Sequence, residues 1–136
     1  MTKPGLYFEE FSQGQVFEHE LRRTITEADN MSFSLMTMNP QPLHIDRHFA
    51  QSTQWGEPLV NSLLTLGLVI GLSVQDTTLG TTIGNLGMTD TRFPAPVLQG
   101  DTVSAKTTVV SMRASKSKAD RGVVEFKHEG YNQRAE

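Results

Sequence analysis

Hydrophobic residues along this chain change their spacing twice, and each change marks a different kind of element. Residues 15–25 carry a rough alternation through Val16, Leu21 and Ile25 after the Gly14 turn, the pattern of a first strand. Thr26 followed three residues later by Asp29 then reads as a helix start, with Ala28, Met31, Phe33, Leu35, Met36 and Met38 supplying its apolar faces. Asn39, Pro40 and Pro42 end that helix, because a residue before proline is driven out of the helical region. Asp46 can cap a further short helix through Ala50, and residues 53–57 form a loop. Pro58 opens the longest apolar run, Leu59 to Val74, where Leu64, Leu68 and Leu72 share a stripe and Ser62, Gly67 and Gly71 leave small surfaces. As a helix, this run would be about 24 Å long.

Beyond Gly80 the pattern changes to turn residues separating β-rich runs. Residues 81–93, 102–112 and 122–128 are candidate strands, separated by Pro94-Ala95-Pro96, by Gly100-Asp101 and by the turn at residues 119–122. One strand, a helical block and then a run of strands predict an α+β fold, an antiparallel sheet packed on one long helix. With 136 residues and no internal repeat or linker, the whole chain reads as one domain. At Tyr131 to Glu136 the pattern is ready to continue, so a last strand is expected beyond it.

Composition narrows the partners. Twelve Lys and Arg stand against fifteen Asp and Glu, for a net charge of -3, and no basic run exceeds Arg22-Arg23, which argues against nucleic acid. Cysteine is absent, removing disulfides, thiolate nucleophiles and cysteine metal sites together. The Leu59 to Val74 run is too short and too interrupted by Asn61, Ser62, Thr65 and glycine to cross a bilayer, so the expectation is a soluble cytoplasmic protein.

The chemistry concentrates around Asn39-Pro40-Gln41-Pro42-Leu43-His44-Ile45-Asp46, a proline-stiffened loop ahead of the long helix, and at the helix entrance Pro58-Leu59-Val60-Asn61-Ser62. Together with Phe93-Pro94-Ala95-Pro96-Val97 and Gly100-Asp101-Thr102-Val103, these motifs resemble the MaoC-like (R)-specific enoyl-CoA hydratases of the hotdog superfamily, nearly from end to end. Leu59 to Leu63 and Gly71 to Asp76 are similar to the branch of mesaconyl-CoA and β-methylmalyl-CoA dehydratases. The resemblance implies a hotdog fold, its sheet wrapped around the Leu59 to Val74 helix. It also implies a homodimer, or a dimer of dimers, and an acyl-CoA thioester in a tunnel beside the helix N-terminus. No cofactor is implied. The family's catalytic histidine corresponds to His44, and the aspartate five residues before it to Asn39. The Asn-Pro pair before the histidine is Gln41-Pro42, and the His-Gly of the helix entrance is Asn61-Ser62, whose backbone N–H would meet the thioester oxyanion.

Hydration of an enoyl thioester takes a proton from water as it attacks and delivers one to the α-carbon, and an imidazole can serve both ends. Asn39 cannot exchange a proton, although its amide can orient a water. Three readings follow: His44 acts alone with one water, another carboxylate substitutes, or the domain binds acyl-CoA without hydrating it. Asp46 is better placed to cap a helix than to substitute. Arg92 could meet a second carboxylate on the acyl group, whereas Lys116 and Lys118 read as solvated surface. His44 and His48 have metal-ligand spacing, but no third ligand accompanies them, so no metal is expected. The leading expectation is therefore a hydratase or dehydratase acting on a short, branched or dicarboxylic 2-enoyl-CoA. A non-catalytic acyl-CoA-binding module competes with it, and a thioesterase is disfavoured because the helix offers no dedicated carboxylate.

Overall fold

In the computed structural model, which describes residues 4–136, the core lies between one helix and one antiparallel sheet. The chain runs β1 (Val16–Glu18), β2 (Arg23–Thr24), α1 (Glu27–Met36), α2 (Pro42–Ile45), α3 (Arg47–Gln51), α4 (Ser62–Thr77), β3 (Thr102–Ala114) and β4 (Gly122–Tyr131). β3 is the central strand, with β1 and β2 along one edge and β4 along the other, all antiparallel. The α+β architecture expected from the spacing of apolar residues is the one observed.

The expected first strand is split. Glu18 opposes Lys106 and Arg23 opposes Val103, five steps of edge against three of partner; the His19 N–H still donates to the Ala105 carbonyl, so the chain bulges out at residues 20–22 before rejoining the sheet. β3 alternates buried and half-buried residues as far as Val109, its inward side chains being Val103, Ala105, Thr107 and Val109. These meet α4, and Ile25, Val60, Val69, Leu72, Val103 and Ala105 form the buried cluster, with Leu64 and Leu68 packed against it. The leucine stripe read from the sequence thus faces the core, Leu72 buried and Leu64 and Leu68 partly so, a fully buried leucine contributing about 1.5–3 kcal/mol. Close approach of α4 to β4 depends on Gly130: a Cβ there would lie 2.4 Å from Val69 Cγ2.

Two expectations need correction. The long helix starts at Ser62 rather than near Pro58, because Leu59 and Val60 are extended, their N–H groups donating to the carbonyls of Leu43 and Val97. Residues 81–93 form no strand; they lack a ladder partner among the described residues, and Ile83, Leu86 and Met88 are left exposed. Among the described residues no helix is long and apolar enough to cross a membrane.

Candidate active site at the entrance of α4

α1 begins where the sequence indicates. Thr26 Oγ1 accepts from the Asp29 N–H and Asp29 Oδ2 accepts from the Thr26 N–H, a reciprocal capping box. Its faces, however, are inverted relative to expectation: the buried residues are Asn30 and Ser34, while Leu35 and Met36 face outward. A helix that buries an amide and a hydroxyl and exposes leucine is packing against polar groups, among them the backbone of the loop carrying His44.

The chain leaves α1 through Met38, held at φ 59°, and enters the proline-stiffened loop. Asn39 Oδ1 accepts from the Gln41 N–H at 3.1 Å, and the Gln41 carbonyl accepts from the His44 N–H at 3.0 Å. α2 then begins on Pro42, suited to the first helical position, and brings His44 beneath the entrance of α4. Asp46 caps α3 by accepting from the Phe49 N–H, as its position suggested.

His44 Nδ1 lies 2.7 Å from the Leu59 carbonyl. A carbonyl only accepts, so Nδ1 must carry the proton, and in the neutral ring Nε2 holds the lone pair. Among the described residues Nε2 has no hydrogen-bond partner. The ring is thereby presented as a base through one defined nitrogen.

Asn30 ties this histidine to the helix. Its Nδ2 donates to the carbonyls of His44, at 3.2 Å, and Leu59, at 3.0 Å, while its Oδ1 accepts from the Asn61 N–H at 2.9 Å. Deleting so buried an amide would leave partners unsatisfied, at about 1–3 kcal/mol for each. The signal available in the sequence was weak: two polar residues, Asn30 and Ser34, one helical turn apart.

The helix entrance differs from expectation in one respect. Asn61 is 4% exposed, its Oδ1 capping the Leu63 N–H at 3.1 Å and its Nδ2 donating to Ser34 Oγ at 3.2 Å. Its side chain and its own N–H are therefore committed within the protein. Ser62 is exposed and its N–H is unbonded among the described residues, at the positive end of the 16-residue α4. Of the Asn61-Ser62 pair, Ser62 is the residue left to meet a ligand. Arg92 is 80% exposed and paired with Asp90 at 3.0 Å, and no hydrogen bond joins it to the His44 region. His48 is exposed on α3, and no metal-binding group of three or more His, Cys, Asp or Glu occurs among the described residues.

A second polar cluster lies at the other end of α4. His19 Nδ1 is 2.6 Å from Asp76 Oδ2, His19 Nε2 is 2.7 Å from Thr107 Oγ1, and Thr107 Oγ1 is 2.8 Å from His128 Nδ1. Thr107 is completely buried, so this hydroxyl meets no substrate, and the chain of bonds holds the end of α4 to the sheet.

Comparison with known proteins places this geometry. A Mycobacterium tuberculosis protein described as having a double hotdog fold superposes with a TM-score of 0.82 at 26% identity, over 97% of this chain and 41% of that one. The architecture is therefore a hotdog. Residues 10–131 match the MaoC like domain, and the chain belongs to that family. The monoamine oxidase regulatory protein from Archaeoglobus fulgius matches with a TM-score of 0.85 and 35% identity over 100% of this chain and 90% of its own. Beta-methylmalyl-CoA dehydratase of Chloroflexus aurantiacus is 37% identical over 97% of this chain, and (R)-specific enoyl-CoA hydratase of Rhodospirillum rubrum is 31% identical over 78%. The chain spans 37% of the first of these relatives and 71% of the second.

Proposed function

We propose that this domain interconverts a short 2-enoyl-CoA and its 3-hydroxyacyl-CoA, with branched or dicarboxylic acyl groups within its range. The observation that carries the reading is the pairing of His44, with a bare Nε2, and an unspent helix-entrance amide at Ser62, three residues beyond the carbonyl that orients His44. The relatives named as dehydratases and hydratases of acyl-CoA favour the same reaction class.

In this scheme the thioester oxygen accepts from the Ser62 N–H, where the dipole of α4 stabilises the negative charge that develops. Water gives its proton to His44 Nε2 as its oxygen bonds to C3, and the imidazolium returns that proton to C2. One nitrogen handles both transfers, so hydroxyl and proton add to the same face. Asn39 donates its remaining amide hydrogens to the water and holds it in line. Arg92, committed to Asp90 at the surface, has no part in the scheme.

We further propose a homodimer, supported by the outward-facing Leu35, Met36 and Met38 of α1 and its exit and by Ile83, Leu86 and Met88. The test of activity is direct. Purified protein should hydrate crotonyl-CoA or mesaconyl-CoA, and His44→Ala should lower kcat by about 100-fold or more. A wild type that leaves a panel of short enoyl-CoA thioesters untouched would sink the hydratase reading. Tight acyl-CoA binding without turnover would instead support a binding module, which the amide at position 39 favours.

A further inference from the structure

Asn30 touches three things that a hydratase site must keep in register, and it does so with one side chain. Its amide hydrogens go to the carbonyls of His44 and Leu59, and its oxygen receives the Asn61 N–H. The Leu59 carbonyl is also the acceptor for His44 Nδ1–H, so Asn30 and the imidazole converge on the same oxygen. The residue is completely buried, on a helix that exposes Leu35 and Met36 instead.

We propose that Asn30 is a positioning residue for the reaction: it sets the tautomer of His44 and decides which amide at the α4 entrance remains free for the substrate. The catalytic consequence rests on the hydratase reading; the structural one does not. An imidazole in water favours the Nε2–H form, which would face the substrate with a donor and leave no base. A fixed Leu59 carbonyl reverses this preference by rewarding Nδ1–H. Asn30 pins that carbonyl while tying α1 to the His44 backbone, so neither can turn independently. Its oxygen meanwhile occupies the Asn61 N–H, and the Asn61 side chain occupies the Leu63 N–H, which leaves Ser62 beside the bound thioester.

The residue type follows from this pattern. The position needs two donors and an acceptor at short reach. Aspartate has the shape but would aim a second acceptor at two carbonyls, leucine has neither function, and glutamine is a methylene too long for a site with no space. A buried amide that served stability alone would be indifferent to the tautomer of a neighbouring histidine.

That difference is measurable by long-range proton–nitrogen NMR of His44 in the labelled full chain, with Asn30→Asp, Asn30→Ala and Ser34→Ala beside the wild type. The wild type should show Nδ1–H with a bare Nε2. The folded Asn30 variants should move toward Nε2–H, and kcat should fall by about 100-fold, as expected when a base is misplaced. Ser34→Ala removes a buried partner of Asn61 from the same helix but touches neither His44 nor Leu59, and should leave the tautomer unmoved. A folded Asn30 variant that keeps Nδ1–H overturns the proposal. A tautomer shift in a protein that turns over no enoyl-CoA supports the positioning role and counts against the hydratase reading alone. Should neither Asn30 variant fold, hydrogen-bond scalar couplings in the wild type from Asn30 Nδ2 to the His44 and Leu59 carbonyls decide the matter. Their presence supports the role, and their absence, or an Nε2–H His44, overturns it.

Discussion

In the proposed reaction, a single proton on His44 Nδ1 sets what the site can do, and two neighbouring residues, Ser62 and Asn39, set how well. Ser62 stands at the first helical position with a free N–H, and Asn61 before it has φ -55° and ψ 125°, a conformation that tolerates a following proline. Ser62→Pro should therefore remove the proposed oxyanion donor while leaving α4 intact. The expected result is a fall in kcat of about 100- to 1,000-fold with an unchanged thermal midpoint, read by steady-state assay and calorimetry. Asn39 offers the opposite experiment. Asn39→Asp keeps an oxygen for the Gln41 N–H and adds a carboxylate that can hold a proton, so kcat should rise by about tenfold or more. No gain would mean that His44 already performs both transfers unaided.

At the level of elements, α4 is held at both ends by polar contacts and along its length by leucine. The entrance is tied through Asn61 and Asn30, and the far end through the His19–Asp76 pair and Thr107. Thr107→Val should strand nitrogens of His19 and His128 and cost about 1–3 kcal/mol in chemical denaturation. The same cluster predicts a pH dependence. Burial, then the neighbouring His19, pushes the pKa of His128 below its ordinary 6.5. The folded chain therefore binds that proton less readily than the unfolded chain. Stability is full above pH 6.5 and declines as pH falls from there through the lower folded-state value. Urea midpoints at about pH 7.5 and about pH 5.5 should show the decline, and His128→Phe should make it shallower.

For the whole molecule, the exposed apolar residues are the features a lone hotdog leaves unexplained. Ile83 is 70% exposed, Leu86 82% and Met38 89%, more than an isolated soluble domain usually leaves in two stretches. Light scattering should return a mass near twice 15.1 kDa, and Leu86→Asp with Ile83→Asp should drive the chain toward monomer or aggregate. A monomeric wild type at micromolar concentration would remove the dimer from the proposal. Association of this kind also makes thermal stability depend on protein concentration.

Elements with strong local signals were legible before any fold was known. Thr26 and Asp29 announced α1, Asp46 announced its cap, and Leu64, Leu68 and Leu72 announced the core face of α4, because capping and helical periodicity act between residues close in sequence. The β-rich runs of β3 and β4, bounded by turn residues, were equally plain, whereas residues 81–93 carry strand composition without a ladder, since a strand exists only with a partner to bond. His44 and the Asn61-Ser62 pair could be named as candidates from motif and helix position. What tertiary structure alone decided is which of their atoms are free. The Leu59 carbonyl claims His44 Nδ1 and the Asn30 oxygen claims the Asn61 N–H, bonds spanning 15 and 31 residues. No local pattern records such bonds, because a hydrogen bond between distant segments depends on where the fold brings them and not on their neighbours in the chain.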